Sequence, residues 1–275
     1  MFNFIVLHYK NIDTTIECLN CLMKFVDKKT NIIVVDNNTL NKKEESQLKK
    51  YTVDIIKLDK NYGYAYANNI GIEYAKRKYD SDFYIVINND IIIEQEDFLK
   101  IIKRDYNKYH FDLMGPFINS SSGESVNPFP VLKSKEEVEV ELKKCNKLLK
   151  IYKSSILSFL LKIYLNIKHL IVKPEINQNG KSLKKKVALH GCCIIMSKKY
   201  INKYEKPFFD KTFLYHEEEF IYQRIINDNL CSIYDPNIMV FHKEDISLKS
   251  KNIREAKYFR IKERIKSLKV LLKYI

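Results

Sequence analysis

The chain has 275 residues, 45% hydrophobic and 12% aromatic, which excludes wholesale disorder and allows one large α/β core. Its formal net charge of +14 is uneven: residues 143–186 hold twelve Lys against one Glu, and residues 254–275 hold eight Lys or Arg against two Glu. Both stretches are also rich in Leu and Ile, a pattern that suits an anionic membrane surface better than nucleic acid, so no nucleic-acid partner is expected.

In chain order, residues 2–7 ("FNFIVL") read as a strand, followed by a helix whose N-cap is expected at Asp13 or Thr14. "NIIVVD" (31–36) is a second strand, residues 41–51 are polar and helical, and "VDIIKL" (53–58) is a third strand. Residues 61–78 begin as a glycine-containing loop and become a helix, "DFYIVINND" (82–90) is a fourth strand, and residues 96–109 form another helix. This alternation predicts βαβ units and a mainly parallel sheet.

The second half is less regular. Residues 117–135 read as a loop and 136–173 as helical, with an apolar run at 156–172 that Lys162 and Lys168 interrupt. Strand character resumes at 187–197, a turn feeds a helix over 213–228, and 232–242 is a strand broken by a turn. Residues 254–275 predict a basic amphipathic helix with Phe259, Ile265, Leu268, Leu272 and Ile275 near one face. The six cysteines are scattered, and Cys18 and Cys21 form a CxxC without a second pair. Free thiols in a reducing cytoplasm, behind a first strand that leaves no leader, are the expectation.

Three polar clusters fall at predicted strand ends: His8-Tyr9, Asp36-Asn37 and Asn88-Asn89-Asp90. In parallel sheets ligands bind outside the carboxyl ends of the strands, so three clusters on one rim point to a site.

The ordered segments "FIVLHYKN", "IIVVDNN", "NYGYAYANNIGI", "YIVINNDI", "HGCCIIMSKK", "FFDKTFLYHEEEFIYQR" and "YDPNIMVFHKEDIS" resemble the family 2 glycosyltransferases, in particular the rhamnosyltransferase-like branch that includes capsule and O-antigen polysaccharide enzymes. The resemblance implies a GT-A fold: an α/β, Rossmann-like, mixed but mainly parallel sheet flanked by helices. The expected organisation is a GT-A domain over 1–247, with a nucleotide-sugar half at 1–115 and an acceptor half at 116–247. A basic helical insertion (136–186) interrupts the second half, and a C-terminal amphipathic helix (248–275) follows. The implied activity is inverting transfer of a sugar from a nucleotide-diphosphate donor, UDP- or dTDP-linked, to a saccharide or lipid-linked acceptor. The enzyme would act peripherally on the inner face of the cytoplasmic membrane.

By match to the family's motifs, His8, Tyr9, Asp36, Asn61, Gly63, Asn69, Asn88 and Asn89 bind the donor, and Asp90 and His242 hold Mg²⁺ or Mn²⁺. Asn88 stands where the family's DxD motif has its first acid. A carboxylate that takes the acceptor's proton is expected at Glu218, with Glu217 as the alternative and Glu219 as a solvated or helix N-terminal charge. Gly191 is expected to leave room for sugar or acceptor, and Cys192 and Cys193 to be small core residues. The rival reading is a non-catalytic nucleotide-sugar-binding or assembly subunit, which the Asn88 departure permits.

Overall fold

In the computed structural model, residues 1–26, 29–120, 125–161, 163, 182–243 and 253–275 are described. One nine-stranded sheet organises them: β1 (Phe2–His8), β2 (Thr30–Asp36), β3 (Asp54–Lys57), β4 (Phe83–Asn88), β5 (Ile91–Ile92), β6 (Leu113–Ser120), β7 (Lys184–Lys185), β8 (Cys193–Ser197) and β9 (Ser232–His242). The order is β3-β2-β1-β4-β8-β6-β9-β5, with β7 on β9. β3, β2, β1 and β4 are parallel, β8 runs antiparallel to β4 and β6, and β9 is parallel to β6. The sheet is therefore mixed and half parallel by construction, as a chain that alternates strand and helix only in its first part should give.

Every residue of β1 is buried, because both faces are covered. Phe2, Phe4 and Val6 join one core layer with Leu19, Leu22 and Phe98, while Ile5 and Leu7 join the other with Ala67, Ile72 and Ile221. The period-2 pleat thus splits one apolar run between two cores. The covering helices of the first half are α1 (Ile12–Leu22), α2 (Lys42–Leu48), α3 (Tyr64–Lys78) and α4 (Phe98–Tyr109). The N-cap of α1 is Asn11, not Asp13 or Thr14: its side chain accepts from Asp13 N and its carbonyl takes both following threonine hydroxyls.

β6 runs through the stretch expected to begin a loop. Gly115 and Pro116 hide it from pattern reading, and the register against β9 slips at Pro116/Phe117, where a bulge tolerates the missing N–H. The boundary expected at 115/116 falls inside this strand. β9 is continuous rather than broken by a turn, and strand character around 187–197 begins only at Cys193.

Further helices are α5 (Lys135–Lys153), α6 (Lys198–Lys203), α7 (Glu217–Asn227) and the C-terminal α8 (Ile253–Tyr274). A third apolar cluster joins Val138 and Cys145 of α5, Phe220 of α7, and Ile265, Leu268 and Leu271 of α8. The amphipathic face of α8 is thus spent on the protein itself, and Phe259 stands apart from it, exposed. Residues 155–161 are helical; most of the apolar run 156–172, with Lys162 and Lys168, lies outside the described residues. Among the described residues no helix is long and apolar enough to cross a membrane, and the six cysteines are free thiols.

Candidate active site

The registers His8↔Asp36 and Leu7↔Asn88 bring the ends of β2, β1 and β4 to one rim. A cleft of about 510 Å³ opens there. Of the residues expected at the donor, Tyr9, Asn61, Gly63, Asn88 and Asn89 line it, as does Asp90 of the expected metal pair, but not its partner His242.

His8, Asp36 and Asn69 do not line it; they hold its walls. His8 is buried and its Nδ1 lies 2.6 Å from Thr15 Oγ1, with burial lowering its pKa. Asp36 Oδ1 accepts from the amides of Thr39 and Leu40, closing the turn after β2. Asn69 clamps Phe208 with both ends of its amide, accepting from Phe208 N at 2.9 Å and donating to Phe208 O at 2.8 Å. Asn89 faces the cleft but its amide donates inward to Thr15 Oγ1 and Asn11 O. The residue after Asp36 performs the cleft role expected of it: Asn37 lines the opening, donates to Gly63 O and accepts from Tyr62 N.

Gly63 adopts φ +85°, and a Cβ there would lie 1.9 Å from Phe213 O. The close approach it allows is that of the 213–215 segment, whose carbonyl accepts from Tyr64 N. Phe213, Leu214 and Tyr215 line the opposite wall. Tyr215 and His216 both have positive φ, 73° and 68°, a costly backbone for two non-glycine residues in a row and one that clusters at functional sites.

At the floor, Ile91 pairs with His242 across β5 and β9, which places Asp90 beside the imidazole. Asp90 Oδ1 is 3.3 Å from His242 Nε2 and is buried without a hydrogen-bond partner among the described residues. Two cis ligands of an octahedral Mg²⁺ at ~2.1 Å stand ~3 Å apart, so this pair fits one hard divalent ion that keeps its other positions for water and phosphate oxygen. No cluster of three or more acidic, His or Cys ligands exists among the described residues. Behind the pair lies His190, its ring 6.1 Å from that of His242 and 5.0 Å from Phe129. Burial, with His242 beside it, pushes its pKa down to about 4, so it stays neutral, and its Nδ1 accepts from Cys192 N.

The acids at the start of α7 lie behind Tyr64. Glu218 Oε1 accepts from Gly191 N at 2.9 Å, and Tyr64, which lines the cleft, donates its hydroxyl to Gly191 O. A Cβ on Gly191 would meet Glu218 Oε1 at 3.1 Å and the Tyr64 hydroxyl at 3.3 Å; the room it leaves is filled by these two side chains. Burial raises the Glu218 pKa, and the Gly191 amide opposes the rise. Glu217 is raised to about 8, first by burial and then by Glu218, and its Oε1 has no hydrogen-bond partner among the described residues. Glu219, expected as a solvated or helix N-terminal charge, lies in the first turn of α7 and is buried, with its Oε1 3.0 Å from His216 Nδ1. Cys192 and Cys193 are buried, as small core residues should be.

Sequence reading did not single out Tyr64, His190, Phe213, Tyr215 or Arg260. Tyr64 and His190 each adjoin a glycine of a recognised segment, which is a usable signal. Phe213 and Tyr215 belong to a turn whose left-handed backbone leaves no compositional trace. Ala256, Phe259 and Arg260 come from α8, beyond the domain boundary expected at 247, and line the cleft.

The sequence of residues 4–204 matches the family described as Glycosyl transferase family 2. Over 78 residues the chain is 36% identical to the rhamnosyltransferase WbbL of Escherichia coli (strain K12), a match covering 26% of this chain and 30% of that one. Among solved structures it superposes on S. aureus TarS 1–349 (TM-score 0.53, 12% identity, 97% of this chain and 64% of that one). It also superposes on the mannosyltransferase PcManGT of Pyrobaculum calidifontis, determined with GDP-Man and Mn²⁺ (TM-score 0.52, 10% identity, 98% and 69%). The chain thus spans less than two thirds of the first of these relatives. At such identities the superpositions speak for the fold, a curled α/β sheet of the GT-A kind. With the family match running over most of its length, the chain belongs to glycosyl transferase family 2.

Proposed function

We propose that the protein is an inverting glycosyltransferase that moves a sugar from a nucleotide-diphosphate donor, UDP- or dTDP-linked, to a hydroxyl of a saccharide acceptor. The observation that carries this reading is the Asp90–His242 pair, whose Asp90 lines the cleft, with Glu218 linked to the lining residue Tyr64 through Gly191. Asp90 and His242 would hold Mg²⁺ or Mn²⁺, which when bound supplies Lewis-acid neutralisation of the leaving diphosphate. Tyr9, Asn61 and Asn88 receive the nucleoside end, and His8, Asp36, Asn69 and Asn89 keep the walls in place.

Glu218 is the base. Its carboxylate takes the proton of the acceptor hydroxyl as that oxygen bonds to the anomeric carbon from the face opposite the diphosphate. The bond to the diphosphate oxygen breaks with its electron pair, and the configuration inverts. Burial raises the Glu218 pKa and the Gly191 amide opposes the rise, whereas Glu217, raised to about 8, retains its proton near neutrality; Glu218 is assigned as the base and Glu217 as its neutral neighbour. Glu218→Gln is expected to lower transfer by roughly 10²–10⁴-fold while nucleotide binding persists, as loss of a general base does. Full activity in a transfer assay with this variant would discard the assignment.

A lipid-linked acceptor in surface polysaccharide synthesis, met at the inner face of a cytoplasmic membrane, is supported by one surface feature. Ile156 (73% exposed), Phe159 (62%), Leu157, Leu160 and Ile163 face solvent just after the exposed Lys147, Lys150 and Lys153. The apolar face of α8 is occupied by α5 and α7, so these residues replace it as the lipid contact. Combined Ile156→Ser, Phe159→Ser and Leu160→Ser should abolish flotation with phosphatidylglycerol vesicles; flotation equal to wild type would remove the membrane step.

A further inference from the structure

Arg260 has no role in the reading above, and its surroundings give it one. The C-terminal half of α8 is anchored: Ile265, Leu268 and Leu271 are buried in the third apolar cluster, and Ser267 donates to Leu214 O at 2.6 Å. Phe259 meets Phe213 edge to face at 6.4 Å. These contacts tie the helix to the 213–215 wall and carry its first turns over the cleft, where Ala256, Phe259 and Arg260 complete the lining.

The other two arginines of α8 are engaged: Arg254 donates to Ser155 Oγ and Arg264 pairs with Glu141 at 3.0 Å. The half-buried Arg260 guanidinium has no hydrogen bond or ion pair to the described residues, and it shares the cleft lining with Tyr215. An arginine facing a cleft, with its five donors unused among the described residues, is matched to an anion that presents paired oxygens. The cleft's lining holds one carboxylate, Asp90, with Asn88 in place of a second, so its acid content does not satisfy the cation.

We infer that Arg260 binds the diphosphate of the nucleotide donor, making α8 part of the donor site although it lies outside residues 4–204 that match the family. This rests on the donor reading of the cleft. The guanidinium grips non-bridging phosphate oxygens and, as the sugar departs, stabilises the charge gathering on the leaving diphosphate.

The test is calorimetric titration of the full chain with UDP, dTDP and GDP, and with the matching monophosphates, in the presence of Mn²⁺. Arg260→Gln, which keeps the stem and helix propensity, should weaken the diphosphate by at least ~10-fold and the monophosphate by much less. Arg260→Lys should recover part of the loss. Lys269→Ala, the same charge change on an exposed turn of α8, should leave binding unchanged. Unchanged diphosphate affinity in folded Arg260→Gln overturns the assignment alone, as does an equal loss for both nucleotides. Failure of the wild type to bind any diphosphate overturns it together with the donor reading.

Discussion

In the parallel half of the sheet, β1 to β4 with α1 to α3, several polar residues near the rim hold the cleft walls by hydrogen bonds within the fold, although His8 Nε2 is buried without one among the described residues. His8 goes to Thr15, Asn89 to Thr15 and Asn11, Asp36 to the turn after it, and Asn69 to Phe208. In the mixed half, the polar residues at the site keep unused capacity. Asp90, at the junction, has a buried oxygen without a hydrogen bond, Glu217 has another, and Arg260 has a guanidinium with no partner among the described residues. The first half shapes a cleft; the second supplies the groups that can act in it. A satisfied polar group is rigid and cheap to bury, while an unsatisfied one costs about 1–3 kcal/mol and persists only where the fold holds it.

The comparison breaks first at catalysis. If the mixed half holds the chemistry, Glu218→Gln produces the largest loss in the molecule. Next comes the metal pair. His242→Ala removes one of the two proposed ligands and should weaken Mn²⁺-dependent binding of a nucleotide diphosphate by no less than the ~10–100-fold that loss of a ligand's supporting partner costs. Titration without Mn²⁺ should give equal affinities for wild type and variant. Equal affinities with Mn²⁺ would return His242 to a structural role.

Asn69→Ala sharpens the other side. It leaves the buried N–H and C=O of Phe208 unpaired and should lower stability by about 2–3 kcal/mol in urea denaturation. The folded variant should bind nucleotide as the wild type does. Lost affinity with stability intact would make Asn69 a donor contact and erase the contrast between the halves.

Legibility follows the same division. The parallel strands, the rim of polar ends and the acids of α7 are visible because apolar runs, turn residues and order along the chain encode them. Which side chain of a polar pair faces the cleft is not encoded: Asp36 turns inward and Asn37 outward because pleat and turn, not composition, orient them. β6 stays hidden behind Gly115 and Pro116. The role of α8 is hidden for another reason. Amphipathicity reports that a helix buries one face, and it is silent on whether the partner is lipid or protein. The packing of Ile265, Leu268 and Leu271 on α5 and α7 answers that, and places Arg260 over a cleft encoded about 200 residues earlier.

A last signal concerns pH. Burial, followed by Glu218, raises the Glu217 pKa in the folded chain from 4.5 to about 8. The folded state therefore holds a proton that the unfolded state has released between these values. Stability from this group is fully present below about pH 4.5 and is lost as pH rises through 8. Glu217→Gln cannot ionise. Its urea midpoint should match that of the wild type near pH 4.5 and exceed it increasingly toward pH 9. Asp105, raised to about 6 by burial, adds a slope of the same sign at lower pH, but it is common to both proteins and cancels in their difference. Parallel stability profiles would mean that Glu217 ionises at little cost in the fold. The neutral neighbour of Glu218 would then be a second carboxylate, and the separation of the two acids into distinct roles would fail.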